Sequence, residues 1–174
     1  MKTKPILITG VSGSIGSKLA RNLIARKVPV RLALRDPKQS PYENNALVET
    51  VYFDYRDKNS LQKAVEGVEQ VFFLTPATMQ AKQEAFNELE TALAFIEIMR
   101  AAGVQHVVRS SGMGADQFKE SAHYLIEQAV QQSGMAYTIL RPTFFMQIFD
   151  VYYRNSIQKK YVIDFYDANV TESF

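Results

Sequence analysis

The stretch Thr9-Gly10-Val11-Ser12-Gly13-Ser14-Ile15-Gly16 decides how this chain is read. A short apolar run over residues 5–9 precedes it. After it come Ile15, Leu19 and Leu23, whose i, i+4, i+8 spacing predicts a helix with one buried stripe. Strand, glycine-rich turn and helix in that order have a specific physical use. Gly10 lets the chain turn tightly out of the strand, Gly13 has no Cβ to block an approaching anion, and Gly16 lets the helix lie close against the sheet. The free N–H groups of the first helical turn, which include those of Ser12, Ser14 and Ile15 around the glycines, and the positive end of the helix then face a diphosphate. The alternative is a glycine-rich turn that holds nothing. A Walker-type loop is excluded because no Gly-Lys-Ser/Thr follows at the required spacing.

Further along, β-type runs at 28–34, 48–53, 70–74, 105–110 and 137–140 join the first one at 5–9. Several are almost continuously apolar or β-branched, as strands covered on both faces should be. Helical patterns lie between them. Residues 57–66 form a short one, Ala85, Leu89, Ala92, Leu93, Ile96 and Met99 give a longer one its buried stripe, and 121–133 form another. Gly67, Gly103 and Gly134 stand at their ends. Six strands alternating with helices predict an α/β fold, a Rossmann-type doubly wound parallel sheet in the order 3-2-1-4-5-6. The expected organisation is a dinucleotide-binding domain over 1–150, with residues 151–174 beyond it.

Composition supports one soluble domain. The chain has 174 residues, 47% hydrophobic and 22% charged, with no cysteine and two histidines, His106 and His123. That removes disulfide scaffolds, thiolate zinc sites and cysteine nucleophiles, and no metal site is expected. No apolar run is long enough to span a bilayer and no secretory leader is evident, so the expected location is the cytoplasm, away from membranes. Residues 1–40 carry nine Lys/Arg against one acid, and the remainder eleven against seventeen. The basic N-terminal part suits phosphates or is a plain solvated face. It lacks any nucleic-acid reader motif, so nucleic acid is not expected as a partner.

The second strand ends at Leu34-Arg35-Asp36-Pro37-Lys38, where this fold places the ribose of the adenosine half. An acid there selects NAD, whereas a guanidinium pairs with a 2′-phosphate. Arg35, with Lys38 nearby, favours NADP, and Asp36 leaves NAD open. After the third strand, the Asp54 carboxylate can accept from the adenine amino group and the Tyr55 N–H can contact the ring. Equally, Asp54 can simply cap the next turn. Ser110 and Ser111 end the fifth strand, on the side where open α/β sheets bind ligands. Their alternative role is to satisfy the loop backbone.

Taken together, these residues resemble the NmrA-like group of atypical short-chain dehydrogenase/reductases, neighbours of the isoflavone-reductase-like enzymes. The resemblance runs from about Lys4 to Phe149. It rests on the glycine stretch, Arg35-Asp36-Pro37, Phe53-Asp54, Phe73-Leu74-Thr75-Pro76, Val107-Val108-Arg109-Ser110-Ser111, and the run from Ser133 through Leu140-Arg141-Pro142-Thr143-Phe144-Phe145. It implies that Leu74, Thr75 and Pro76 lie beside the cofactor ribose, and Pro142, Thr143 and Phe144 near the nicotinamide. It also implies that Ser111 belongs to the active-site serine region. The Tyr-x-x-x-Lys pair of ordinary members is missing: Lys119 stands at the tyrosine position and His123 at the lysine position. An imidazole can donate to a ribose hydroxyl or relay a proton, although a lone helix histidine is commonly structural.

Relatives of this type continue for a C-terminal lobe that covers the nicotinamide and contacts the substrate, and the resemblance implies that residues 151–174 are a remnant of that lobe. Here the aromatic segment from Phe144 to Tyr166 would lose that cover, so dimerisation through it is expected. The functional expectation is NADPH-dependent reduction of a small quinone or carbonyl compound, with His123 and Ser111 as catalytic candidates. The alternative is a non-catalytic redox-sensing regulator that binds NADP and a protein partner.

Overall fold

A computed structural model describes residues 4–42, 44–76 and 88–143. Along the chain these form β1 (Ile6–Ile8), α1 (Ser14–Ala25), β2 (Val30–Leu34), a 3-10 turn at Pro37–Gln39, β3 (Val48–Tyr52), α2 (Lys58–Val65) and β4 (Gln70–Phe73). They continue with α3 (Glu88–Ala101), β5 (His106–Ser110), α4 (Ala122–Gln132) and β6 (Ala136–Leu140). The strands make one sheet in the order β3-β2-β1-β4-β5-β6, with every pairing parallel. This is the doubly wound α/β arrangement expected from the alternation of short and long apolar periods.

Successive strand residues face opposite sides of the sheet, and the two cores follow from that alternation. Ile8, Val30, Leu32 and Phe72 pack with Ile15, Leu19, Ala20 and Leu23 of α1. Leu7, Ala33, Val71, Phe73 and Val107 pack on the other face with α2, α3 and α4. On that second face Phe95 meets Phe53, Tyr55 and Phe73 edge to face, with centroids 5.3, 5.9 and 5.5 Å away. Each fully buried side chain of this size contributes about 1.5–3 kcal/mol through area removed from water.

Several local expectations change. β1 spans only Ile6–Ile8; just beyond it Thr9 still gives its backbone N–H to the Phe72 carbonyl (3.0 Å), and its hydroxyl bonds across to Leu74. In α3 the buried positions include Glu88, Phe95 and Ile98, whereas Leu93 is exposed. Edge strands β3 and β6 are not covered on both faces: Tyr52, Tyr137 and Leu140 are exposed among the described residues. α4 begins one residue after Ser121, whose hydroxyl caps it by accepting from the Tyr124 N–H.

The chain divides into two compact units, Met1–Pro142 and Thr143–Phe174. The sheet belongs to the first. The boundary expected at 150, Phe144, and the aromatic surface expected to dimerise lie outside the described residues. No described helix is long and apolar enough to cross a membrane.

Candidate functional site: a dinucleotide cradle at the strand ends

The C-terminal ends of β1 and β4 meet where the strand order reverses. The Thr9 hydroxyl donates to the Leu74 carbonyl (3.0 Å) and accepts from the Leu74 N–H (2.8 Å), locking the two ends together. Gly10 turns out of β1 at φ +68°, a conformation L residues avoid, and a Cβ there would lie 2.5 Å from Leu74 Cδ2. A Cβ at Gly16 would run into the backbone of Gly10 and come within 2.9 Å of Val11 Cα, so α1 can pack this tightly only with glycine. Gly13 is the N-cap of α1 and offers no side-chain cap, and no acid stands in the first turn. The opening N–H groups of α1 are therefore left without a side-chain acceptor, beside exposed Ser12, Gly13 and Ser14. This cradle fits a diphosphate. Ile15 instead turns inward to the core of the α1 face.

On the adenosine side, Arg35 and Lys38 are exposed, and neither side chain has a described partner. Asp36 is committed to its own turn, accepting from the Lys38 N–H (3.1 Å) and Gln39 Nε2 (3.1 Å). Asp54 likewise organises its turn, with Oδ1 accepting from the Arg56 N–H at 2.9 Å. The partly buried Tyr55 ring packs edge to face against Phe53 and Phe95, and its hydroxyl donates to the Leu74 carbonyl at 2.8 Å. Burial pushes that phenol well above its ordinary range.

The ends of β4 and β5 hold a charged network that inspection of the sequence did not assemble. Arg109, the penultimate residue of β5, is fully buried and lies 4.8 Å over the Phe73 ring. Its Nη2 donates to Thr75 Oγ1 (3.1 Å) and faces His123 Nδ1 (3.5 Å), and Glu88 Oε1 is 3.9 Å away. Thr75 in turn donates to Glu88 Oε1 at 2.5 Å. Burial pulls the Arg109 guanidinium below its usual range, with Tyr55 and Glu88 acting in the opposite direction. His123, in the first turn of α4, keeps 48% of its side chain exposed. Pro76 is exposed and Ser110 is buried.

A second pair closes the end of the sheet. Glu127 of α4 is fully buried and receives Arg141 Nη2 at 2.7 Å and Nε at 3.1 Å, while Arg141 Nη1 lies 3.1 Å from Asp116. Burial alone would raise the Glu127 carboxyl. The Arg141 hydrogen bonds, the Ser111 hydroxyl and the two guanidinium charges outweigh it and hold the group below the usual carboxylate range. Ser111 Oγ is buried near this carboxylate and makes no hydrogen bond of full geometry. Backbone bonds from Ser111 N–H to Leu140 O (2.8 Å) and Met113 N–H to Pro142 O (3.1 Å) carry the β5–β6 pairing on to exposed Pro142 and Thr143.

Because Glu127 titrates lower folded than unfolded, its contribution is complete above the unfolded-state value and lost as pH falls through the folded one. Glu127→Gln is expected to flatten the acid limb of the stability curve, followed as Tm from about pH 7 to about pH 3. An unchanged acid limb would contradict this assignment.

A signal for the Arg109 network was present in the sequence. Arg109 sits two residues from Val107 on the same face of a strand, and Glu88 lies one helical turn before Ala92 on the buried stripe of α3. Charges placed on core faces in this way point to each other.

Comparison with known proteins agrees with this geometry. A family model described as NAD(P)H-binding matches residues 10–158. The chain is 36% identical over 146 residues to the NAD(P)H azoreductase of Xenophilus azovorans, covering 82% of this chain and 49% of that protein. Two solved structures share the fold at 22% identity. The Citrobacter sp. triphenylmethane reductase complexed with NADP(H) has a TM-score of 0.73 and covers 90% of this chain and 55% of its own. The NADPH-dependent quinone oxidoreductase of Escherichia coli complexed with NADPH has a TM-score of 0.74 and covers 89% and 54%. The chain thus spans about half the length of the curated relatives it matches. With its glycine cradle at the sheet's switch point and this match over most of its length, the chain belongs to the NAD(P)H-binding, NmrA-like family of atypical short-chain dehydrogenase/reductases.

Proposed function

We propose that this chain holds NADPH across the strand ends and takes part in reduction of a small quinone or carbonyl compound. The observation that carries the reading is the uncapped, Cβ-free start of α1 beside a free Arg35. In this reading the amides of Ser14, Ile15 and Gly16 hold the diphosphate, over a turn shaped by Gly10, Ser12 and Gly13 in which the Gly13 N–H is held by the Gly10 carbonyl at 3.0 Å. Arg35 and Lys38 take the 2′-phosphate, since Asp36 is turned into its own capping bonds. Asp54 keeps Oδ2 for the adenine amino group, and Tyr55 contributes its backbone N–H, its side chain being part of the core. The backbone at Leu74, Thr75 and Pro76 flanks the ribose, and Ser110, His123 and Pro142 border the nicotinamide.

The bound cofactor supplies the hydride. The chain's residues orient it and serve the acceptor: His123, half exposed, donates a hydrogen bond to the ribose or to the acceptor's oxygen, and Ser111 lines the same side. The relatives reported above are named as reductases acting on azo, triphenylmethane and quinone compounds, which supports an aromatic or conjugated acceptor. None of them supports the regulator alternative.

NADPH oxidation followed by absorbance with a panel of quinones and aldehydes tests the reaction, with quinone-dependent loss of NADPH as the expected result. Arg35→Ala is expected to weaken NADPH binding about tenfold or more and NADH binding little, because a charged hydrogen bond is worth about 1.5–3 kcal/mol. Equal losses for the two cofactors would show that Arg35 does not read the 2′-phosphate.

A further inference from the structure

We infer that Arg109 is a positioning residue that holds His123 in one tautomer, with the hydrogen on Nε2 and the lone pair on Nδ1. The argument is one of hydrogen-bond direction. An ionised Glu88 carboxylate only accepts, so the 2.5 Å bond between Thr75 Oγ1 and Glu88 Oε1 takes the threonine's single hydrogen. Thr75 Oγ1 therefore accepts from Arg109 Nη2 at 3.1 Å. A guanidinium only donates, and the second hydrogen of Nη2 faces His123 Nδ1 at 3.5 Å. An N–H at Nδ1 would oppose that donor. The acceptor nearest to such an N–H, Glu88 Oε1, lies 3.9 Å away, beyond hydrogen-bond range.

Burial makes this ordering strict. Arg109 is fully buried and Glu88 nearly so, so water cannot exchange for either partner, and an unmet donor there is costly. Arg109 already leaves Nε without a partner. It holds its remaining contacts through Thr75, the Phe73 carbonyl at 3.5 Å and the Phe73 ring.

The consequence rests on the reductase reading: His123 presents Nε2–H as a neutral hydrogen-bond donor and does not act as a base. The three residues behind it come from just after β4, from the end of β5 and from the start of α3, so its state is set by the scaffold.

The test is nitrogen NMR on the full chain labelled at histidine, at a pH where imidazole is neutral, in a His106→Gln background that leaves a single histidine. The expected spectrum shows Nδ1 as the unprotonated nitrogen and Nε2 as the protonated one, without tautomer averaging. Arg109→Met with Glu88→Gln, which removes the donor without stranding a buried carboxylate, is expected to move both signals toward the averaged positions. A protonated Nδ1, or an averaged pair before any change at Arg109, overturns the inference, and so does a double variant with unchanged signals. Should that variant not fold, the unaltered network still decides the matter. The spectrum is recorded without cofactor, so failure of dinucleotide binding is a separate result.

Discussion

Replacing Gly13 with valine is expected to weaken dinucleotide binding about a hundredfold or more while leaving the fold in place. The backbone at Gly13 (φ −91°, ψ 174°) is extended, a conformation that β-branched residues adopt readily. A Cβ there meets only the Gly10 carbonyl oxygen at 3.3 Å, and the residue is exposed. The new isopropyl group therefore projects into the space that an anion on the α1 amides requires. Valine is a poorer N-cap than glycine, so a stability loss of about 1 kcal/mol is expected. The expected loss of affinity for NADPH is about a hundredfold or more, or about 2.7 kcal/mol. Gly16→Val is the contrasting control: its Cβ would press on the backbone of Gly10 and Val11, so folding and binding should fail together. Calorimetric titration and thermal melts of both variants check this. Undiminished NADPH affinity in Gly13→Val would mean that the diphosphate does not sit on this turn.

Arg109→Leu is expected to cost about 3–5 kcal/mol of stability, the range for breaking a buried ion pair from one side. Glu88 would stay beneath the surface with only the Thr75 hydroxyl, and its carboxylate would lose its guanidinium at 3.9 Å. The corresponding double variant, Arg109→Leu with Glu88→Leu, should recover much of the loss, because an apolar pair leaves no uncompensated charge. Denaturant melts of the two single variants and the double give the coupling directly. Additive losses would show that Arg109 and Glu88 do not act as a pair.

The fold was legible because strand and helix periods change at every boundary. Gly10, Gly13 and Gly16 each carry a steric demand, met in the fold by φ, exposure or close approach. The strand order followed from topology once the six runs were found. Boundaries were less legible where side chains decide them. The Thr9 hydroxyl locks the end of β1 to Leu74, and Lys27 takes φ +61° after the first helix without a glycine. The site was readable only where it is local in sequence. Thr75, Glu88, Arg109 and His123 span nearly fifty residues, and Glu127 and Arg141 join the α4 helix to the end of β6. No spacing rule brings such residues together; parallel pairing of β4 with β5 and of β5 with β6 does.

Titration of the unaltered chain with NADPH, followed by heat, is the most direct test of a dinucleotide seated on the opening amides of α1. A single saturable binding event that is weaker for NADH is predicted. No heat with either nucleotide, from a chain whose melting curve shows it folded, would contradict the account.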